Sequence, residues 1–203
     1  MTLTAQEFTF ISGLVRRDAS IVLEAGKEYL VEARLLPLAR KAGIQTVSEY
    51  VHRAQQRPEP EIHRQIVDAL TTNETSFFRD SEPFQALIHH LLPDLLRARS
   101  GMRTLRIWSA ACSSGQEPYS LAMLLQDAMP AGWSYEIVAT DISLEMLTRA
   151  EAGTFTQLEV NRGLPAPLLV RHFERVGAHW KASAALRNSV RWMRRSISRT
   201  FSR

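Results

Sequence analysis

Leu105-Arg-Ile-Trp-Ser-Ala-Ala-Cys-Ser-Ser-Gly-Gln-Glu-Pro-Tyr119 is the stretch that decides the fold. Leu105 to Ala110, within Thr104 to Ala110, reads as a short strand, and Pro118 to Met129 reads as a helix. Between them lie five small residues, Ala111-Cys-Ser-Ser-Gly115. In an open α/β sheet, ligands sit beyond the carboxyl ends of the strands, where the first loop meets the N-terminus of the next helix. Small residues let backbone approach a ligand closely, and Gly115 permits a conformation that other residues resist. The loop has one glycine and lacks the G-x-G-x-x-G spacing, so alone it reads equally well as a tight strand-to-helix turn.

Downstream the period continues, with a strand at Tyr135 to Thr140, a helix at Leu144 to Gly153 and a third strand candidate at Val190 to Met193. Val160 to Trp180 is less regular. Alternating strand and helix signals a parallel α/β sheet. Upstream, Ser81 can cap a helix from Glu82 to Arg99, with Pro83 in its first turn and Leu87, Leu91 and Leu95 repeating every fourth residue. The polar stretch Thr71 to Asp80 precedes it. Before that the pattern is helical throughout. Thr4 and Glu7 form a capping box ahead of a helix to Arg17; Glu28 to Ala42 follows with Leu30, Leu35 and Leu38 inward and Pro37 expected to kink or interrupt it. Thr46 and Glu49 repeat the capping box, and Glu59 to Leu70 supplies a fourth helix. The expected organisation is an all-helical domain over residues 1–70, a linker over 71–80, a partial Rossmann-like α/β domain over 81–193 and a basic tail over 194–203.

The composition, 203 residues with 45% apolar, supports a packed core. No run approaches the roughly 18 apolar residues of a membrane span, so no membrane insertion and a cytoplasmic location are expected. Cys112 is the sole cysteine, which excludes an internal disulfide and a cysteine-built zinc site, and the six His show no metal-ligand spacing. The net charge of +4 is uneven: Arg171 to Arg203 holds nine Lys or Arg against Glu174 alone, while the first 170 residues are net acidic. A basic balance confined to a tail argues against a nucleic-acid partner.

Asp141 ends the second strand, 26 residues after Gly115, where a carboxylate can accept hydrogen bonds from the ribose hydroxyls of an adenosine cofactor; the other reading is an N-cap for the helix that follows. Glu117 adds a second carboxylate in the loop. It would repel a pyrophosphate and attract the ammonium and sulfonium of S-adenosylmethionine, which favours that cofactor over NAD.

Three segments then carry a family resemblance. Arg106-Ile-Trp-Ser-Ala-Ala-Cys-Ser-Ser-Gly-Gln-Glu-Pro-Tyr-Ser120, preceded by Thr72-Asn-Glu-Thr-Ser-Phe-Phe-Arg-Asp80 and followed by Ala139-Thr-Asp-Ile-Ser143, resembles CheR-type chemotaxis receptor methyltransferases in residues, order and spacing. The resemblance implies an S-adenosylmethionine-dependent methyltransferase domain that esterifies glutamate side chains of methyl-accepting chemotaxis receptors, on their cytoplasmic helices, and releases S-adenosylhomocysteine. A monomer is expected. By that match Asn73, Thr75, Arg79, Gly115, Glu117 and Asp141 bind the cofactor or line the reacting centre, and Arg79 also acts in catalysis by holding the incoming carboxylate; a surface ion pair with Asp80 or Glu82 is its other reading. Arg34, Arg40 and Lys41 lie where the family presents a basic face to the receptor, or form a solvated helix face. Phe77, Phe78 and Trp108 read as packing residues. Tyr119 reads as either cofactor contact or core, and Cys112 as a small loop residue rather than a nucleophile.

The resemblance runs to about Trp180. The family continues with an Asn-Leu pair after the third strand and a fourth strand ending in an Arg-Asn-…-Tyr-Phe segment, neither of which this chain contains. Without that strand the first one would expose an unpaired edge. The acid-free Arg/Ser tail gives the expectation of a frameshift or premature truncation, and the alternative function is a non-catalytic cofactor- or receptor-binding module.

Overall fold

The computed structural model describes residues 3–56 and 59–195, which form two units that divide between Thr72 and Asn73. The motif Asn73 to Asp80, expected in a separate linker, is thus part of the second unit. The basic tail lies outside the described residues beyond Arg195.

The first unit holds four helices, α1 (Ala5–Ala19), α2 (Glu28–Lys41), α3 (Val47–Gln56) and α4 (Pro60–Leu70). Its termini are closed as the sequence suggests. Thr4 Oγ1 accepts from the Glu7 amide while Glu7 accepts from the Thr4 amide, and Thr46 Oγ1 accepts from the Glu49 amide. Helices α1 and α2 each pack on both α3 and α4 around Ile11, Val15, Leu35, Tyr50, Val51 and Ile66, all essentially sealed from solvent. In α2 the inward stripe is Val31, Leu35 and Ala39; Leu30 and Leu38 flank it, half-buried. The expected interruption at Pro37 does not occur. Pro37 sits on the exposed face, where water can satisfy the carbonyl its missing N–H leaves over, and the helix runs through it.

The second unit is built on a parallel sheet of order β1-β2-β6: β1 (Thr104–Ala110), β2 (Ser134–Asp141) and β6 (Val190–Arg194). Ile107 pairs with Ile137 and Ile137 with Val190. Helices α7 (Gln116–Ala128), α8 (Leu144–Ala152) and α11 (Ala184–Asn188) cover one face. Among the described residues no strand pairs with the outer side of β1. Trp108 departs from its expected core position. It projects from β1 at 40% exposure, its indole N–H donating to Thr140 Oγ1 at 2.9 Å.

Two further features escaped the sequence reading. The helix from Glu82 is split into α5 (Glu82–Ala86), a π turn (Leu87–Leu91) and α6 (Leu92–Ala98), with the Leu92 N–H donating to Leu87 O. Pro93 has no N–H for the previous turn and its ring crowds the carbonyl four residues back, so that turn widens. The extra residue moves the apolar stripe on by one. Leu92 is buried and Leu96 half-buried, whereas the expected Leu91 and Leu95 face solvent. Ser81 stands at the start of this helix without a side-chain cap bond. Residues 154–182, which contain the irregular stretch, fold into α9 (Gln157–Asn161), α10 (Ala166–His172) and a small antiparallel sheet of order β3-β5-β4: β3 (Thr154–Thr156), β4 (Phe173–Val176) and β5 (His179–Ala182). Phe155, Phe173 and Tyr119 join Phe77 in an edge-to-face aromatic cluster with centroids 5.0–6.1 Å apart.

Candidate functional site

The β1–α7 loop owes its shape to backbone conformations that most side chains resist. Ala111, Ser113 and Gly115 have φ of 57°, 49° and 95°. The Cys112 amide donates to Thr140 O and the Gly115 amide to Cys112 O, both at 3.0 Å, so the loop folds back on the end of β2. Gly115 is needed twice over. Besides its φ, a Cβ there would lie 2.9 Å from Ala150 Cβ and 3.1 Å from the Trp192 ring, so the close approach it permits is to α8 and β6.

Asp141 is buried and held by backbone at both oxygens: Oδ2 accepts from the Ser113 amide at 2.7 Å and Oδ1 from the Ser143 amide at 2.9 Å. It is not the helix cap; Ser143 caps α8 through a bond from the Met146 amide. A carboxylate oxygen has two lone-pair directions, so each keeps one for a further donor. Glu117, in the first turn of α7, is exposed and fixed by the Ser109 hydroxyl, which donates to Oε1 at 2.6 Å.

The Asn73 to Asp80 segment is brought to this loop. Ser113 Oγ donates to Asn73 O at 2.9 Å, and the Phe78 amide donates to Ser120 Oγ at 3.0 Å. Its other flank rests on the α9–α10 turn, where the Phe77 amide donates to Arg162 O and Arg162 pairs with Glu74 at 3.0 Å. At Gly163 (φ 91°) a Cβ would fall 2.0 Å from Phe77 O. Phe77 is fully buried and Phe78 half-buried against Phe84. Asn73, Asp141 and the loop thus converge, joined by Ser113. Arg79 is exposed; it donates to Glu74 O at 3.1 Å and lies 3.9 Å from Asp80, close to its surface-pair reading. Thr75 is half-buried in the same segment.

Tyr119 resolves as core, its hydroxyl donating to Ala150 O at 2.8 Å, and burial raises its pKa well above the ordinary value. Burial, and then the negative charge of Asp141, push the Cys112 thiol up to about 12, so it stays protonated near neutral pH and has no nucleophilic character. In the first unit, Arg34 donates to Leu70 O and Thr71 O at 3.0 and 3.1 Å, closing the C-terminus of α4, whereas Arg40 is exposed. Ser113 and Gly163 were missed as site residues. Ser113 was legible only as one of several small loop residues, and Gly163 carried no local signal.

The donor set suits a cationic adenosine cofactor. Residues 109–121 contain no Lys or Arg, and two carboxylates, Glu117 and Asp141, flank the loop. No described group of His, Cys, Asp and Glu could hold a metal ion.

Comparison with known proteins agrees over nearly the whole chain. Residues 6–71 match the all-alpha domain of the CheR methyltransferases and residues 73–202 their S-adenosylmethionine-binding domain, a match that runs through most of the basic stretch. The chain is 41% identical over 198 residues to chemotaxis protein methyltransferase 1 of Pseudomonas aeruginosa, covering 94% of this chain and 71% of the relative. It is 40% identical to chemotaxis protein methyltransferase Cher2 of Pseudomonas putida (87% and 66%) and 39% identical to a chemotaxis protein methyltransferase of Vibrio anguillarum (87% and 65%). The chain therefore spans about two thirds of the length of the curated relatives it matches. Two domain matches in family order, meeting where the two units divide, place this chain in the CheR methyltransferase family, with S-adenosyl-L-methionine as the cofactor of its second domain.

Proposed function

We propose that this protein methylates glutamate side chains of methyl-accepting chemotaxis receptors in the cytoplasm, acting as a monomer and giving glutamyl methyl esters and S-adenosylhomocysteine. The observation that carries the reading is the convergence of Asn73, the small loop and Asp141 at the carboxyl end of the sheet, all tied through Ser113. The cofactor supplies a methyl group already activated on a sulfonium. The accepting glutamate is ionised near neutral pH, so the protein has to position reactants more than move protons. Asp141 presents its remaining lone pairs to the ribose diol. Glu117, oriented by Ser109, offers negative charge to the cationic end, and Asn73 and Thr75 line the same pocket. Gly115 keeps α7 seated. Arg79, held by one bond and a long ion pair, can swing to grip a carboxylate in its fork of donors. On the helical unit, exposed Arg40 faces the receptor; Arg34, with its guanidinium on α4, supports that face from behind.

Two measurements test this. Calorimetry with S-adenosylhomocysteine should show one site, weakened at least about tenfold by Asp141→Ala, the loss of roughly one charge-assisted bond. Receptor membranes with labelled S-adenosylmethionine should release methanol on base treatment, the mark of an ester. Binding without ester formation would instead make the chain a cofactor-binding module, and absence of binding would overturn the cofactor assignment.

A further inference from the structure

We infer that Ser113 is the positioning residue of the cofactor site, coupling the Asn73 segment to Asp141; the inference rests on the cofactor reading above and deepens it. Within the loop Ala111 to Gly115, Ser113 bonds to both elements: its amide donates to Asp141 Oδ2 at 2.7 Å and its hydroxyl to Asn73 O at 2.9 Å. Three of the other four are committed elsewhere. The Cys112 amide holds Thr140 O, the Ser114 hydroxyl donates to Gln116 Oε1 at 2.9 Å, and Gly115 faces Ala150 and Trp192.

The backbone of Ser113 has a φ of 49° and the residue is only 6% exposed. A buried serine in the left-handed region is strained, and glycine would adopt that conformation more readily. What serine adds over glycine is the hydroxyl, and the hydroxyl holds Asn73. The left-handed turn makes both bonds possible at once, because it directs N–H toward the end of β2 while the side chain reaches the incoming segment. Asp141 is additionally fixed by the Ser143 amide, so it keeps its place when the Ser113 hydroxyl is lost. Among the described residues the Asn73 carbonyl accepts from the Ser113 hydroxyl and no other donor. Removing the hydroxyl should therefore release the Asn73 side of the site selectively.

The test uses the full chain, S-adenosylhomocysteine as the probe, and Ser113→Ala and Ser113→Gly. Both variants should bind about tenfold more weakly, the loss expected for one oriented hydrogen bond. Ser113→Gly should do so with an unchanged or raised thermal midpoint, since it relieves the left-handed strain; a purely structural serine would lose stability and affinity together. In a double-mutant cycle, Ser113→Ala with Asn73→Ala should cost less than the two changes summed: Asn73→Ala keeps the backbone carbonyl that Ser113 holds, so coupling arises only if the hydroxyl acts by placing the Asn73 side chain. If the unaltered chain binds and the Ser113 variants bind as well as it does, or if the cycle is additive, the inference fails while the cofactor reading stands. If the unaltered chain does not bind, the cofactor reading itself fails and takes the inference with it.

Discussion

The helical unit and the α/β unit put their polar groups to different uses. In the first, they close helix ends: Thr4 and Glu7 box the start of α1, Ser48 bonds Glu7, and Arg34 covers the last carbonyls of α4. In the second, they tie the segments of the candidate site to one another, as Ser113 does with Asn73 and Asp141, and Phe78 with Ser120. Strain divides the same way. Among the described residues Ser20 is the one left-handed non-glycine of the helical unit, whereas Phe78, Asp80, Arg103, Ala111 and Ser113 all lie in the other. Four of these five lie in the two segments that meet at the candidate site. Left-handed residues persist where surrounding structure over-determines them, and a binding site is where that is useful.

The two units can be read separately, because all four tryptophans, Trp108, Trp133, Trp180 and Trp192, belong to the α/β unit, so fluorescence reports on it alone while far-ultraviolet circular dichroism reports on both. The largest effect is expected for Gly163→Ala. Its Cβ would strike Phe77 O at a φ of 91°, and about 4 kcal/mol of stability should be lost from the fluorescence-detected urea transition, with much of the helical signal surviving to higher urea. Coincident loss of both signals would show that the units do not respond independently. Next in size, Leu35→Ala empties a sealed position in the helical unit and should cost about 3 kcal/mol, this time in the dichroism with fluorescence nearly unmoved.

The smallest contrast is in acid. Burial raises the pKa of Glu7, but the Ser48 hydroxyl and the Thr4 amide and hydroxyl outweigh it and hold the group below its ordinary 4.5. Its contribution to the helical unit is full above that value and lost as pH falls through the lowered one. His172 is buried, its Nε2 without a hydrogen bond, and desolvation together with Arg171 lowers its pKa below 6.5 against the opposing charge of Asp127. The stability it gives the α/β unit is present above 6.5 and lost as pH falls through the folded value. Acid titration should thus weaken the fluorescence transition at higher pH than the helical one. His172→Gln should remove the early phase; if that phase persists, another group causes it.

What the sequence disclosed was whatever depends on near neighbours. The Thr4–Glu7 box, the strand at Thr104 to Ala110 and the small loop after it are each written within a few residues, and each is found as read. Asp141 was legible as a strand-end carboxylate, but not its grip by Ser113 and Ser143, since one partner lies far upstream. Leu91 and Leu95 misled because a proline two residues past Leu91 widened the turn and shifted the stripe. Gly163 was silent for the clearest reason: its requirement is set by the carbonyl of Phe77, which nothing adjacent to it in sequence announces. Trp108 was read as core on its chemistry, whereas its exposure is decided by which face of the sheet α7, α8 and α11 cover.

The long reach of the Phe77–Arg162 and Ile137–Val190 pairings has a consequence in time. Contacts distant along the chain carry the entropy of closing large loops and form slowly, while helix-rich folds with local contacts form fast. Synthesis runs from the N-terminus, so α1 to α4 can assemble while the ribosome is still adding the α/β unit. The Asn73 segment must then wait, with its paired phenylalanines uncovered, until Arg162 and Gly163 have emerged to receive it.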